Sequence, residues 1–103
     1  MLRVHGVIGV LVRLRGVSQE VERRDGDLAR QLRRAASSVV LNLAEGAGSR
    51  AGHRRLRYET ALGSARETMA RQDVAEALLG VRRDEAARAE LDRVIGTLVR
   101  LVV

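Results

Sequence analysis

Apolar residues recur every three or four positions through most of this chain. Val7, Leu11, Leu14, Val17 or Ser18, and Val21 make one such row, and Leu28, Leu32, Ala35, Val39 and Leu43 make another. That spacing lines side chains along one stripe of an α-helix. It predicts a first helix over about Leu2 to Arg23 and a second over about Leu28 to Ala47. Asp25-Gly26-Asp27 reads as a turn followed by a helix start, because an Asp carboxylate accepts a hydrogen bond from a free N–H at a helix N-terminus. Gly46-Ala47-Gly48-Ser49 ends the second helix, with glycine supplying a left-handed closing residue and Gly46 assigned as the cap.

A third helix is predicted from about Gly52 to Leu79. Its stripe is Tyr58, Leu62, Ala65, Met69, and Gln72 or Asp73, with Ala61, Ala65, Ala75 and Leu79 alongside. Gly80 is a stop. Asp84 and Glu85 open a fourth helix, where negative charge suits the positive end of the helix dipole. Its stripe is Leu91, Val94 or Ile95, Leu98, and Leu101 or Val102. Gly6, Gly9 and Gly16 weaken the first helix by up to about 1 kcal/mol each, so it is expected to depend on packing and to fray in its first turns.

Four amphipathic helices with short links imply an all-α protein, an antiparallel up-down-up-down four-helix bundle, as a single domain over residues 1–103. Composition strengthens this picture. There is no proline to break a helix, and Tyr58 is the only aromatic residue, so the core must be built from Leu, Val, Ile, Ala and Met. Val40 and Leu41 fall off the main stripe. They predict a second buried face, either inside the bundle or against another subunit.

No cysteine is present, which rules out disulfides, a thiolate nucleophile and cysteine-based metal sites. The apolar run Val7–Val12 is short, ends at Arg13 and is followed by no small-residue cleavage site, which argues against a signal peptide. No stretch approaches the roughly 20 apolar residues of a membrane span. The expectation is a cytoplasmic protein without membrane attachment.

The formal charge is +6, and every basic residue is arginine. It is unevenly spread. Residues 1–72 carry 14 Arg against 7 acids, whereas residues 73–103 carry 5 Arg against 6 acids. The most suggestive cluster is Arg50, His53, Arg54, Arg55 and Arg57, with no acid between Glu45 and Glu59. Arginine offers a forked, permanently charged donor to phosphate, and such contacts give affinity with little sequence preference. Read structurally, the same cluster is a solvated helix start. Arg30, Arg33 and Arg34 form a second patch, which either extends a nucleic-acid surface or pairs with acids on a neighbouring helix. The second role is favoured for Arg33 or Arg34.

Catalytic and metal chemistry are poorly served. Asn42 and Glu45 share a helix face and are read as bonding to backbone or to an arginine across the bundle, because no partner acid, base or metal ligand stands at diagnostic spacing. His5 and His53 lie in no His-x-x-x-His or Glu-x-x-His arrangement, so no metal or other cofactor is expected. Neither Gly6-Val7-Ile8-Gly9 nor Gly46-Ala47-Gly48 has the context of a phosphate-cradling loop. Tyr58 lies on the apolar stripe and reads as core. Without exposed aromatics for base stacking, any nucleic-acid binding should be directed at the backbone.

Gln31 to Gly46 reads Q-L-R-R-A-A-S-S-V-V-L-N-L-A-E-G. This resembles the Q-x-R-R-A-A-x-S-I-P-x-N-I-A-E-G type signature of the four-helix-bundle family encoded in intervening sequences of bacterial 23S ribosomal RNA genes. A second family segment has an A-x-G-S-x-x-E core, and here Arg57 to Glu67 reads R-Y-E-T-A-L-G-S-A-R-E. The similarity covers nearly the whole chain. The family includes the accessory proteins of diversity-generating retroelements. The resemblance therefore implies a four-helix bundle and a homo-oligomer, a pentamer in those relatives. It also implies a basic surface for nucleic acid and, for the retroelement members, a reverse transcriptase as partner. The chain departs from the pattern at Val40, which takes the usual proline position, and in a glycine-rich first helix without the common aromatics.

Three functions compete. The first is a non-catalytic accessory protein that binds RNA or DNA backbone through Arg50, Arg54, Arg55, Arg57, Arg30 and Arg34, repeated around an oligomer. The second is a scaffold acting through protein–protein contacts, favoured by Val40, Leu41 and the apolar C-terminus Leu98–Val103. The third, membrane-surface binding by Val4–Val17, lacks the Trp or Phe that interfacial helices carry. An enzyme is least supported.

Overall fold

The computed structural model describes residues 4–103, with side chains described from Gly6 onward. Four helices follow one another: α1 (Val4–Arg24), α2 (Gly26–Ala47), α3 (Ala51–Leu79) and α4 (Glu85–Val102). Leu2, where the hydrophobic pattern starts the first helix, lies outside the described residues, as does the side chain of His5. Each helix packs against the next, and α1 also packs against α4, which closes the ring. The α2–α3 pairing is the most extensive. The molecule is 42 Å long and 22 Å across, its long axis close to the roughly 43 Å that the 29 residues of α3 span at 1.5 Å each.

The helix starts are set by side chains that sequence identifies. Asp25 accepts a hydrogen bond from the Leu28 N–H at 3.0 Å, and Asp84 accepts one from the Ala87 N–H at 2.9 Å. The expected three-residue turn before α2 is absent: Asp25 alone separates α1 from α2, and its own N–H still donates to the Val21 carbonyl at 2.7 Å. Gly80 is the left-handed residue that closes α3, at φ 67. Its N–H donates to the Glu76 carbonyl at 3.1 Å, and Val81 follows with its side chain buried.

The glycine-rich end of α2 differs from expectation. Gly46 does not cap the helix. It lies buried within the last turn of α2, and Gly48 caps with φ −92, outside the left-handed region. What requires glycine at position 46 is space. A Cβ there would stand 2.6 Å from Cε1 of Tyr58 and 3.3 Å from Cβ of Arg57. The tyrosine ring of α3 rests on bare α2 backbone.

Two buried clusters make the core. One joins Val7, Val10 and Leu14 of α1 to Val39 and Leu43 of α2, Leu62 of α3 and Leu91, Val94 and Leu98 of α4. The other gathers Val17 and Val21 from the end of α1, Ala29 and Leu32 from the start of α2, Ala75 from α3, and Val81. The predicted stripes supply most of these side chains. Alanines 35, 36, 61 and 65 are buried beside them and are small enough to let helices approach closely. Of the two off-stripe residues, Val40 is half-buried against the core and Leu41 is 62% exposed. α2 runs unbroken through Val40.

One buried row is polar. Ser64, Thr68 and Gln72 stand four apart on α3, and all are buried. Thr68 Oγ1 donates to the Ser64 carbonyl at 2.8 Å, and Ser64 Oγ donates to Ser38 Oγ on α2 at 2.7 Å. Gln72 Nε2 reaches the Thr68 carbonyl at 3.3 Å, while its Oε1 is buried without a partner among the described residues. An unsatisfied buried acceptor costs about 1–3 kcal/mol. Replacing Gln72 by leucine, of similar volume, is therefore expected to stabilise the protein by about 1–2 kcal/mol in urea unfolding. An equal loss instead would mean that Oε1 already has a hydrogen-bond donor.

Candidate nucleic-acid interface

The pairing of α2 with α3 brings three of the six sequence-predicted arginines into one open groove of about 630 Å³. Arg30 and Arg34 come from α2 and Arg57 from α3, and Arg33 joins them. Ser37, Ser38 and Asn42 form its neutral polar lining, and Glu45 is its one acid. The α2 residues recur at three- and four-residue spacing, so one exposed helical face carries them.

Each guanidinium has a different situation. Arg30 bonds to Asp27 one turn earlier. Arg33 donates to Ser18 Oγ at 2.8 Å and lies 3.4 Å from Glu22, tying α2 to α1. Arg57 Nε lies 3.0 Å from Glu45 across the α2–α3 seam. Arg34 has no ion pair among the described residues. The three acids are more than half exposed, so their pairs are worth at most about 1 kcal/mol each and are readily exchanged for another anion. The partner roles read for Asn42 and Glu45 are the ones observed. Asn42 donates to the Ser38 carbonyl at 2.9 Å, and Glu45 pairs with Arg57.

Arg50, Arg54 and Arg55 do not line the groove. Arg50 holds the N-cap position of α3 with no side-chain capping bond. Arg54 is turned back onto the end of α2, donating to the Gly46 carbonyl at 3.3 Å and the Ser49 carbonyl at 3.0 Å. The two bonds tie the first turn of α3 to the end of α2 and the link that follows it. Arg55 pairs with Glu59 at 3.3 Å. His53 is exposed in the first turn of α3. The ring of Tyr58 is half-buried and packs on Gly46 and the core.

Among the described residues, no three His, Cys, Asp or Glu side chains are grouped to hold a metal ion. No described helix is long and apolar enough to cross a membrane. What the groove can do chemically is accept an anion: four forked cations, two serine hydroxyls and an amide converge on it.

No curated protein and no solved structure matches this chain. The model of one protein family, 23S rRNA-intervening sequence protein, matches residues 12–99. That span takes in part of α1, all of α2 and α3 and most of α4. The chain therefore belongs to the family of 23S rRNA-intervening sequence proteins.

Proposed function

We propose that this protein is a non-catalytic, nucleic-acid-binding accessory protein whose α2–α3 groove takes the phosphate backbone. The observation that carries the proposal is the groove itself, where Arg30, Arg33, Arg34 and Arg57 face one acid. The net charge of +6 adds long-range attraction to a polyanion. Membership of the 23S rRNA-intervening sequence family supports an rRNA-associated role and makes RNA the first ligand to try. Repetition of the groove around a homo-oligomer, a pentamer by resemblance, would multiply a weak single contact. Assistance to a reverse transcriptase rests on the resemblance to retroelement accessory proteins alone.

The test is binding of a labelled RNA hairpin and a matching DNA duplex across a salt series. Wild type is compared with Arg30→Glu/Arg34→Glu/Arg57→Glu and with Arg50→Glu/Arg55→Glu, each checked for helix content. Each phosphate contact contributes a slope of about −0.7 to −0.9 in log affinity against log salt. The groove variant is expected to lose binding at every salt concentration, and the Arg50/Arg55 variant to retain most of it. A wild type that stays unbound at low salt overturns the proposal.

A second reading, an oligomeric scaffold, is favoured by one observation. Leu41 of α2 and Leu56 and Leu78 of α3 are each more than half exposed, and burying them against a partner would take apolar surface out of water. Sedimentation that shows a stable assembly, with no response to RNA, would favour it.

A further inference from the structure

A second depression, of about 340 Å³, adjoins the groove and shares Arg34 and Ser38 with it. Arg71 of α3 lines its far side, and Ser64 and Gln31 contribute neutral polar groups. Glu67 is its one acid. Neither Arg34 nor Arg71 forms an ion pair among the described residues, although Glu67 stands one turn from Arg71 on the same helix. The Nε–H of Arg71 is buried and has no hydrogen-bond partner among the described residues, while the side chain as a whole is half-buried at the depression. A guanidinium stays charged in a protein and all its N–H groups are donors.

We infer that this depression is a second phosphate subsite, anchored by Arg71, and that one polynucleotide strand places phosphates in both depressions with Arg34 between them. The inference rests on the backbone-binding reading above and extends it to a residue outside the sequence-predicted set. Two observations agree on an anion: the two cations outnumber the single acid, and neither cation is committed to an ion pair among the described residues. Arginine engages phosphate oxygens in a forked geometry. Because Ser64 Oγ donates to Ser38 Oγ at 2.7 Å, the wall shared by the two depressions is held across the α2–α3 seam.

The test uses the same RNA hairpin and salt series. Arg71→Gln is compared with Arg66→Gln, an exposed arginine of α3 that lines neither depression, so both variants lose one charge. Glu67→Gln is compared with Asp92→Asn, an exposed acid of α4, so both gain one. Arg71→Gln is expected to flatten the salt slope by about one unit and Arg66→Gln to leave it nearly unchanged. Glu67→Gln is expected to tighten binding several-fold beyond Asp92→Asn, because it removes the acid that opposes phosphate there. If Arg71→Gln fails to fold, the Glu67 comparison decides alone. Equal behaviour within both pairs, in a protein that binds RNA through the groove, overturns this inference and leaves the backbone reading standing. A wild type that does not bind RNA overturns both.

Discussion

Leu98→Ala is expected to cost about 2–5 kcal/mol, the range for a fully buried leucine whose site cannot collapse. Leu98 is 0% exposed and lies in the larger core cluster, which draws on all four helices. Its setting favours the upper part of that range. The cluster includes Ala36, Ala61, Ala65 and Ala87, and the chain has a single aromatic residue. Short side chains cannot swing into a cavity, so most of the lost contacts stay lost. For a domain whose total stability is on the order of 5–15 kcal/mol, that is a large fraction. Urea unfolding followed by circular dichroism should show a lower midpoint with an unchanged slope. Leu41→Ala provides the contrast. At 62% exposure it should stay within about 0.5 kcal/mol of wild type. A loss of several kcal/mol at Leu41, growing with protein concentration, would instead mean that a second copy covers this face.

The difference between these two leucines marks what the sequence makes legible. Three-four spacing is a local property, so Leu32, Val39, Leu43, Leu91 and Leu98 are identifiable as core from the sequence and are buried in the structure. Capping is local too, and Asp25, Asp84 and Gly80 act where their neighbours place them. Side-chain destinations that cross between helices are not local. Arg54, Arg55 and Arg57 are close in the sequence yet go to three places: a carbonyl pair, Glu59 and the groove. Arg57 meets Arg30 and Arg34 only because α3 packs against α2 in one register, and no spacing rule within a single helix encodes that register. Arg71 is hidden for the same reason, since it shares a depression with Arg34 only where α3 packs against α2. At Gly46 the local pattern points to the wrong cause. A glycine near a helix end ordinarily signals a left-handed cap, and the demand for space beneath Tyr58 comes from a residue twelve positions later on another helix.

That demand makes Gly46→Ala the most informative single substitution near the interface. A Cβ at 2.6 Å from Tyr58 Cε1 and 2.9 Å from Cδ1 is too close to accept, so the ring or α3 must move. Overpacking of this kind costs about 1–3 kcal/mol, against a gain of up to about 1 kcal/mol from replacing glycine by alanine in a helix. The net expectation is a loss of about 1–2 kcal/mol. Gly63→Ala isolates the propensity gain. It is an exposed position within α3 whose Cβ would meet nothing within 4 Å, so that variant should be more stable than wild type. A double-mutant cycle with Tyr58→Ala then separates the causes. Once the ring is gone, Gly46→Ala should become neutral or favourable, with a coupling of about 1–3 kcal/mol. The same cost in both backgrounds would show that the ring is not what excludes a side chain there. The consequence reaches the groove, because Arg54 donates to the Gly46 carbonyl and Arg57 pairs with Glu45 across the same seam. A shift of α3 away from α2 separates Arg57 from Arg30 and Arg34 without removing any charge. Under the backbone-binding reading, Gly46→Ala should therefore weaken RNA binding at unchanged net charge, and Tyr58→Ala in the same chain should restore it.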